Sequence, residues 1–464
     1  MRTCEGQDMP PESGFPAGGV PFPGAEPGFP PEGLPHPVPE EFREPAGGRR
    51  CGRPETPIPG RPAFEVADIL RLHGDEYRRA HTLTPQQARV MHDIEACRTP
   101  ELGCHADVCE ECGHVEIGHN SCRNRHCPKC QGVAKRRWVA ARLGQLMPIP
   151  YFHVVFTLPN MIFPLCVCNQ KLTYDLLFES AAETLKAFGR DPRWLGAEIG
   201  FYGILHTWGQ TMWLHPHLHL IVTGGGLNGD GEWVGPEHGG RFLFPVCAVS
   251  KVFRGKFVEG LKKAYHDGSL TIPDERAELR DPHKFERHID RMVGRRWVVH
   301  TKAPFAGPEE VVRHIGRYTH RVAISNHRIV PVENGLVTFS YKDHRDGGVR
   351  KTMTLGADEF IRRFLLHVLP EGFHRIRHHG ILANGRARKT AERVRELLGD
   401  GDGTEERIGD ASEGREPEDD FRRPCPVCGR GRMATVLMLR PNCVIVIRDD
   451  LMPHLAGRRA HDSS

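Results

Sequence analysis

Two kinds of hydrophobic periodicity alternate along the sequence. Between residues 64 and 95 the apolar positions recur at helical spacing, and Thr84-Pro85 marks the start of a second helix within that stretch. Three further segments are predicted to be helical, namely residues 131–147, 172–188 and 357–368. These segments show the spacing typical of helices with one apolar face.

Runs rich in β-branched and aromatic residues predict strands between these helices. The predicted strands cover residues 151–158, 200–208, 217–223 and 295–301. Residues 328–332 and 337–342 flank Asn334-Gly335, a dipeptide that strongly indicates a β-hairpin. Helices and strands are therefore both expected to contribute to the fold.

Shifts in composition mark the limits of the folded parts. Residues 1–62 hold 16 of the 38 prolines, and fixed proline dihedrals with little apolar surface predict a disordered tail. Residues 398–420 hold ten acidic residues against two arginines, with glycines throughout, which indicates a solvated linker. A small segment with Cys425 and Cys428 follows this linker.

Composition narrows the class of protein without identifying a partner. The 464 residues include 63 lysines and arginines and 59 aspartates and glutamates, and the formal net charge of +4 favours no partner. No run of about 18 apolar residues occurs, which argues against a membrane-spanning protein, and the N-terminus does not resemble a secretory signal. The 15 cysteines are an odd number, so we expect a reducing compartment such as the cytoplasm, where clustered cysteines usually bind metal.

Seven of the cysteines lie between Cys97 and Cys130. Two pairs with Cys-x-x-Cys spacing stand out, Cys109/Cys112 and Cys127/Cys130. A two-residue gap lets both thiolates of a knuckle face one ion, and four thiolates satisfy tetrahedral zinc. The spacing therefore predicts a structural zinc site with these four ligands.

Other residues leave the ligand set open. Cys97, Cys122 and His126 are additional candidate ligands, which allows a different set or a second ion. The pair Cys425/Cys428 has no second pair near it in the sequence, so zinc binding there is left undecided.

Positive charge is concentrated beside the cysteines. No acidic residue lies between Ile117 and Tyr174, whereas eight lysines and arginines do. Cations on a zinc knuckle and on the helix that follows it can displace counterions from a phosphate backbone. We therefore expect DNA contacts from Arg123, Arg125, Lys129, Arg136 and Arg137.

The segment Leu214–Val222 alternates histidines with aliphatic residues. On a strand His217 and His219 would project from one face, while Leu218, Leu220 and Val222 pack on the other. Two imidazoles on one face can hold a divalent cation. Alternatively, His217 and His219 are buried residues that only pack in the core.

A tyrosine on a predicted helix is a candidate partner for these histidines. The helix begins near Pro308, where acidic residues in the first turn complement the helix dipole. Tyr318 lies on its apolar stripe, flanked by Arg317 and Arg321. Packing is the common role of such a tyrosine, but a nearby metal and cations would allow its phenol, with a free pKa of about 10, to attack a phosphodiester.

Six segments between Phe64 and Asn384 carry a resemblance to a known family. They are residues 121–131 (SCRNRHCPKCQ), 152–159 (FHVVFTLP), 205–210 (LHTWGQ), 215–219 (HPHLH), 316–325 (GRYTHRVAIS) and 372–378 (GFHRIRH). In these segments the protein resembles the rolling-circle transposases of the insertion-sequence-91 type. That family belongs to the larger class of His-hydrophobe-His (HUH) tyrosine nucleases.

The resemblance implies an α+β fold with an antiparallel-sheet HUH nuclease core and flanking helices, preceded by a small zinc-binding module. The corresponding boundaries are a tail at 1–62, a helical and zinc-binding DNA-binding domain at 63–147, a catalytic domain at 148–385, an acidic linker region at 386–424 and a cysteine-containing segment at 425–464.

The same resemblance implies cleavage of single-stranded DNA. His217 and His219 would hold Mg²⁺ or Mn²⁺ on the scissile phosphate, with His206 or Gln210 as a third ligand. Tyr318 would attack that phosphate, leaving a 5′-phosphotyrosine link and a free 3′-hydroxyl, and strand transfer would reverse this chemistry. The partners would be single-stranded DNA at the element ends and target DNA in the nucleoid, with no membrane and with the oligomeric state open.

The sequence departs from the family at one position of this helix. Some relatives have two tyrosines four residues apart on this helix, whereas here His314 stands four before Tyr318, so a single-tyrosine enzyme is expected. Whether His314 acts as a base or ligand or only packs is open.

Two alternatives to a transposase are considered. One is a plasmid replication initiator or relaxase, and the other is a zinc-finger DNA-binding protein without catalysis.

Overall fold

A computed structural model describes most of the protein that follows the proline-rich tail. The described residues are 62–143, 145–236, 243–302, 310–311, 322–343, 346–399, 422–441 and 443–452. The tail, the acidic stretch 400–421 and most of the helix expected from Pro308, with Tyr318 on it, lie outside them.

Helices and antiparallel strands alternate through the described residues, which confirms the predicted α+β fold. The helices are α1 (Val66–Ala80), α2 (Pro85–Ala96), α3 (Gln131–Leu143), α4 (Phe163–Cys168), α5 (Gln170–Arg190), α6 (Val246–His266), α7 (Pro282–Val293), α8 (Ala357–Leu365) and α9 (Ala387–Leu398). The strands are β1 (Cys104–Cys109), β2 (Val115–His119), β3 (Tyr151–Thr157), β4 (Glu198–Trp208), β5 (Leu214–Leu227), β6 (Trp233–Val234), β7 (Val298–Lys302), β8 (Ile329–Glu333), β9 (Leu336–Asp343), β10 (Val349–Gly356), β11 (Ile376–Gly380), β12 (Met433–Arg440) and β13 (Cys443–Val446). None of the described helices is both long and apolar enough to cross a membrane.

The central sheet has the strand order β11-β4-β5-β3-β7, and β6 adds to β5. One face is apolar, because alternate residues of each strand project to the same side. Phe152, Phe156, Leu218 and Leu220 lie on that face and form a buried core with residues of α5, α6 and α7. Burial of this face fixes the register of the strands. The alternate side chains of each strand must therefore project from the opposite face.

The other face of the sheet carries the histidines. His219 stands opposite Ile204 on β4 and Val155 on β3, and His217 stands opposite His206. This register confirms the predicted alternation along β5, since Leu218 is part of the helix-covered core.

A smaller sheet joins the two ends of the described part of the protein. Its order is β13-β12-β1-β2, so the C-terminal strand β12 pairs with β1 beside the zinc-binding segment. The segment 425–464, which the sequence presents as a separate module, therefore shares a sheet with the N-terminal region over its described part.

A third sheet, β10-β9-β8, contains the predicted hairpin at Asn334-Gly335. Its apolar residues pack with α1, α2 and α8 in a second core. Thr84 caps α2 through a capping box with Gln87, which explains why that helix starts where the sequence predicts.

Residues 387–398, at the start of the region expected to be a linker, form α9, which buries Ala387, Thr390, Ala391 and Val394. An amphipathic helix with many exposed charges has a composition like that of a solvated segment, so composition alone did not indicate this helix.

Candidate functional site: a histidine cluster and two cysteine clusters

Three imidazoles converge on the face of the central sheet opposite the helix-covered core. His206 on β4 and His217 and His219 on β5 each offer a ring nitrogen, and these nitrogens lie within 4.8 Å of one another. The Nε2 atoms of His217 and His219 are 3.1 Å apart. All three residues are buried.

Hydrogen bonds orient two of these rings. Nδ1 of His217 donates to the backbone carbonyl of His215 at 2.6 Å, which leaves its Nε2 lone pair directed into the cluster. Nδ1 of His219 lies 2.9 Å from Nε2 of His153 on the neighbouring strand β3. Such outer partners hold metal-binding imidazoles in one tautomer and orientation.

The cluster fits a divalent cation. Two neutral imidazoles whose lone pairs face each other at 3.1 Å would repel unless a proton or a cation lies between them. Adjacent ligands of an octahedral ion with bonds of about 2.1 Å are about 3.0 Å apart, close to the observed separation. The donor set thus suits a cation held by nitrogen ligands.

The two candidate third ligands differ in their surroundings. His206 shares the cluster with His217 and His219. Gln210 borders the same cavity, but its side-chain oxygen accepts a hydrogen bond from the backbone N–H of Lys342 at 3.4 Å. Geometry therefore favours His206.

Aromatic and cationic side chains surround the histidines. Trp208 stacks on His206 with ring centroids 4.8 Å apart, and the guanidinium of Arg375 lies 5.9 Å from the Trp208 ring. Arg328 borders the cavity and donates to the backbone carbonyl of Ser340 at 2.7 Å and to that of Gln210. Two arginine side chains thus lie close to the histidine cluster.

The tyrosine and two of the arginines expected at this site lie outside the described residues. These are Tyr318, Arg317 and Arg321. Their positions relative to the histidines therefore rest on the sequence alone.

Eight cysteines form two separate clusters of four. The first contains Cys97, Cys122, Cys127 and Cys130, whose sulfur atoms approach to 3.5–3.7 Å. Zinc–sulfur bonds of about 2.3 Å place tetrahedral thiolates about 3.8 Å apart.

The second cluster corrects the ligand set expected from spacing. Cys109 and Cys112 meet Cys425 and Cys428, not Cys127/Cys130. The reason is the pairing of β1 with β12, which brings residues more than 300 positions apart into contact.

His126 does not join the first cluster. Its Nε2 accepts a hydrogen bond from the backbone N–H of Leu369 at 3.4 Å, and burial lowers its pKa to about 3. His126 thus acts as a buried acceptor between two segments of the fold.

The basic residues expected to bind DNA have different surroundings. Arg125 donates to the backbone carbonyls of Phe373 (2.5 Å) and Pro370 (2.8 Å). Lys129 pairs with Glu65 at 2.7 Å, and both side chains are largely buried. These two residues connect segments of the protein, whereas the exposed residues of the set are Arg123, Arg136 and Arg137.

Sequence reasoning missed three contributors to these sites. His153 lies within a segment that resembles the family but was not identified as a partner of His219. Its alternation with Tyr151 and Val155 on a strand was the available signal. Arg328 and the pairing of Cys425/Cys428 with Cys109/Cys112 had no local signal, because both depend on contacts between distant segments.

Comparison with known proteins shows which families this sequence is similar to. Residues 69–158 match the family described as "Transposase zinc-binding domain", and residues 200–390 match that described as "Putative transposase". The protein is 47% identical over 378 residues to the "Putative transposase y4qJ" of Sinorhizobium fredii, covering 80% of this chain and 94% of the relative. It is 31% identical over 334 residues to the "Transposase for insertion sequence element IS801" of Pseudomonas savastanoi pv. phaseolicola, covering 70% of this chain and 78% of the relative. No solved structure matches this sequence.

A zinc-binding transposase domain with clustered cysteines thus precedes a transposase domain that carries the histidine cluster, and the expected resemblance is confirmed: the protein belongs to the transposases of the insertion-sequence-91 type.

Proposed function

We propose that this transposase cleaves and rejoins single-stranded DNA at the ends of its element through a 5′-phosphotyrosine on Tyr318. The observation that carries the proposal is the convergence of His206, His217 and His219 on one face of the central sheet. We assign these three residues as ligands of Mn²⁺ or Mg²⁺. The ion would neutralise and polarise the scissile phosphate.

The reaction balances without a co-reactant. The Tyr318 phenol loses its proton and its oxygen attacks phosphorus, the bond from phosphorus to the 3′-oxygen breaks, and that oxygen takes up a proton as a free hydroxyl. In strand transfer, a 3′-hydroxyl attacks the phosphotyrosine and releases the phenol. The energy of the phosphodiester bond is thus kept in the ester.

The environments of the other tyrosines support the choice of Tyr318. Four of the seven are buried, and burial raises the pKa of each: Tyr77 (to about 12), Tyr151, Tyr174 and Tyr202. Tyr265 donates its hydroxyl to the carbonyl of Arg280 at 2.9 Å and stacks on Phe285. Tyr341 on β9 is half-exposed and is the rival to Tyr318.

The first four-cysteine cluster, Cys97/Cys122/Cys127/Cys130, is proposed as a closed structural zinc site. Cys97 and Cys127 are fully buried in the second core, next to α1 and α2. A zinc ion with four protein ligands has no open position for catalysis. Its role would be to hold the knuckle that precedes α3 against this core.

The wild-type protein provides the test of this proposal. Oligonucleotides with the element ends, labelled at both termini, are incubated as single strands and as duplexes with Mn²⁺, Mg²⁺ or chelator, on protein kept loaded with zinc. We expect a covalent adduct on the 3′-labelled fragment and a free 3′-hydroxyl on the other, from single strands only. Mn²⁺ should act at lower concentration than Mg²⁺, because Mg²⁺ prefers oxygen ligands to imidazole.

Several outcomes of this assay contradict the proposal. Cleavage of duplexes alone would contradict single-strand specificity, and a 3′-linked adduct would contradict the polarity. Binding without cleavage under every metal condition would favour the non-catalytic DNA-binding protein.

Substitution of two arginines beside the first cysteine cluster should have different effects, one on DNA affinity and the other on stability. Arg136→Ala removes an exposed cation of α3, so the slope of log affinity for single strands against log salt should fall by about 0.7. Arg125→Ala removes the donor to two carbonyls, so we expect a loss of unfolding free energy of about 2 kcal/mol with little change in slope. Fluorescence anisotropy over a salt series and thermal unfolding measure both effects, and a reversed pattern would overturn these roles.

A further inference from the structure

The second cysteine cluster lies at the junction between the N-terminal and C-terminal ends of the described residues. The sulfur atoms of Cys109 and Cys428 are 3.7 Å apart, as are those of Cys112 and Cys425. A disulfide would need about 2.05 Å, whereas thiolates around tetrahedral zinc are about 3.8 Å apart. We propose that these four cysteines bind a second structural zinc ion, which joins the C-terminal segment to the N-terminal zinc-binding domain.

The backbone around Cys428 favours the thiolate that zinc requires. The N–H of Gly431 donates to its sulfur at 3.4 Å. The N–H of Val427 likewise donates to the sulfur of Cys425 at 3.4 Å. Such donors from a tight turn are typical of a preformed zinc knuckle.

A glycine lies where the two knuckles of the cluster approach each other. A Cβ atom on Gly431 would lie 2.5 Å from the sulfur of Cys109 and 2.8 Å from Cβ of Glu111. The glycine at this position therefore permits the close approach of the two knuckles. Cys109 and Cys425 are nearly inaccessible, Cys428 is half-buried and Cys112 is exposed.

The sheet that joins the two ends has a small hydrophobic core. Its hydrophobic core consists of a few side chains, Val108, Val115, Ala434, Val436 and Leu451. Such small cores usually need a metal or a disulfide to remain folded. Ion pairs such as Arg422–Glu110 (2.6 Å) and Arg448–Glu110 (3.1 Å) also cross the junction, but partly exposed pairs contribute little each.

The ligands of the proposed ion lie far apart in the sequence, and this separation determines how the ion would stabilise the fold. Cys109 and Cys428 are 319 positions apart, so the ion would close a very long loop. Closing a long loop removes much conformational entropy from the unfolded state. The C-terminal segment would then be an integral part of the zinc-binding domain and not an appendage beyond a linker.

Zinc content of the purified full-length protein tests this inference. We expect two ions per wild-type molecule and one in Cys425→Ser/Cys428→Ser. The variant Cys109→Ser/Cys112→Ser should also keep one, and so should the combination of all four changes, because both pairs bind the same ion. Cys443→Ser, which changes an exposed cysteine of the same segment, is the matched control and should keep two.

The ion that remains in these variants shows that the first cluster is still folded. Limited proteolysis should then release residues 422–452 from the double variants and not from the control. A single zinc ion in the wild type, or two in Cys425→Ser/Cys428→Ser, would overturn the inference. Loss of a further ion on combining the two double variants would show that the pairs belong to different sites.

Discussion

Tyr318→Phe is expected to abolish the covalent protein–DNA adduct, with a loss of cleavage of at least about 10³-fold, the scale of removing a covalent nucleophile. Phenylalanine keeps the aromatic ring but has no oxygen to attack phosphorus. Binding of single-stranded DNA should therefore stay within about twofold of the wild type, because that binding depends on the cations and on stacking. Adduct formation on denaturing gels and anisotropy measure the two effects separately.

Tyr341→Phe is the matched control for this change. Tyr341 is half-exposed on β9, next to Lys342, whose backbone contacts Gln210 at the rim of the histidine cavity. Among the described tyrosines, Tyr341 is therefore the alternative nucleophile to Tyr318. If the adduct persists in Tyr318→Phe and disappears in Tyr341→Phe, the nucleophile is Tyr341 and the assignment carried over from the family is wrong.

His217→Ala should lower cleavage at limiting Mn²⁺ by at least about 100-fold, since loss of a ligand costs more than loss of its outer partner. The change removes one of three converging nitrogens, and its neighbour at 3.1 Å belongs to His219. Zinc content should not change, because the cysteine clusters are separate from the histidines. Cleavage rates over a Mn²⁺ titration, with zinc analysis of the same samples, measure both quantities.

His379→Ala serves as the control for His217→Ala. His379 lies on β11 of the same sheet but stacks on Phe201, a residue of the helix-covered core, at 4.9 Å. This change should leave the Mn²⁺ dependence unaltered. Equal losses in the two variants would indicate general damage to the sheet and would remove the support for a metal site.

His153→Phe should weaken Mn²⁺-dependent cleavage less than His217→Ala does. His153 lies 2.9 Å from Nδ1 of His219, so it positions that ring without being a ligand itself. The Mn²⁺ concentration for half-maximal rate should rise about 10–100-fold, with the rate at saturating Mn²⁺ largely restored. A drop in the saturated rate with no change in the Mn²⁺ requirement would indicate a role other than positioning.

Much of the central sheet could be predicted from sequence, because its signals are local. The strand of Tyr151–Thr157 in this sheet appears as expected, and so does the hairpin at Asn334-Gly335 in the third sheet. The common face of His217 and His219 was readable for the same reason, since strand geometry alone makes every second side chain point the same way. Only residues whose role depends on immediate neighbours could be assigned in this way.

Other expectations failed or stayed open where partners come from distant segments. His206 and Gln210 were equal candidates in sequence, and the register of β4 against β5 separates them by placing His206 opposite His217. The guanidinium of Arg125 binds the carbonyls of Pro370 and Phe373, and charge in a sequence does not reveal such partners; its contact with DNA stays a prediction. Long-range contacts of this kind have no periodic signal.

The sequence by itself determined that this protein combines cysteine knuckles with a two-histidine strand, and through them its family, because both motifs are set by the spacing of neighbouring residues. Only the tertiary structure decided which knuckles meet. Cys109/Cys112 join Cys425/Cys428, and Cys127/Cys130 join Cys97 and Cys122. The physical reason is that four thiolates around one ion need a shared position in space, and strand pairing between the two ends of the fold supplies that position.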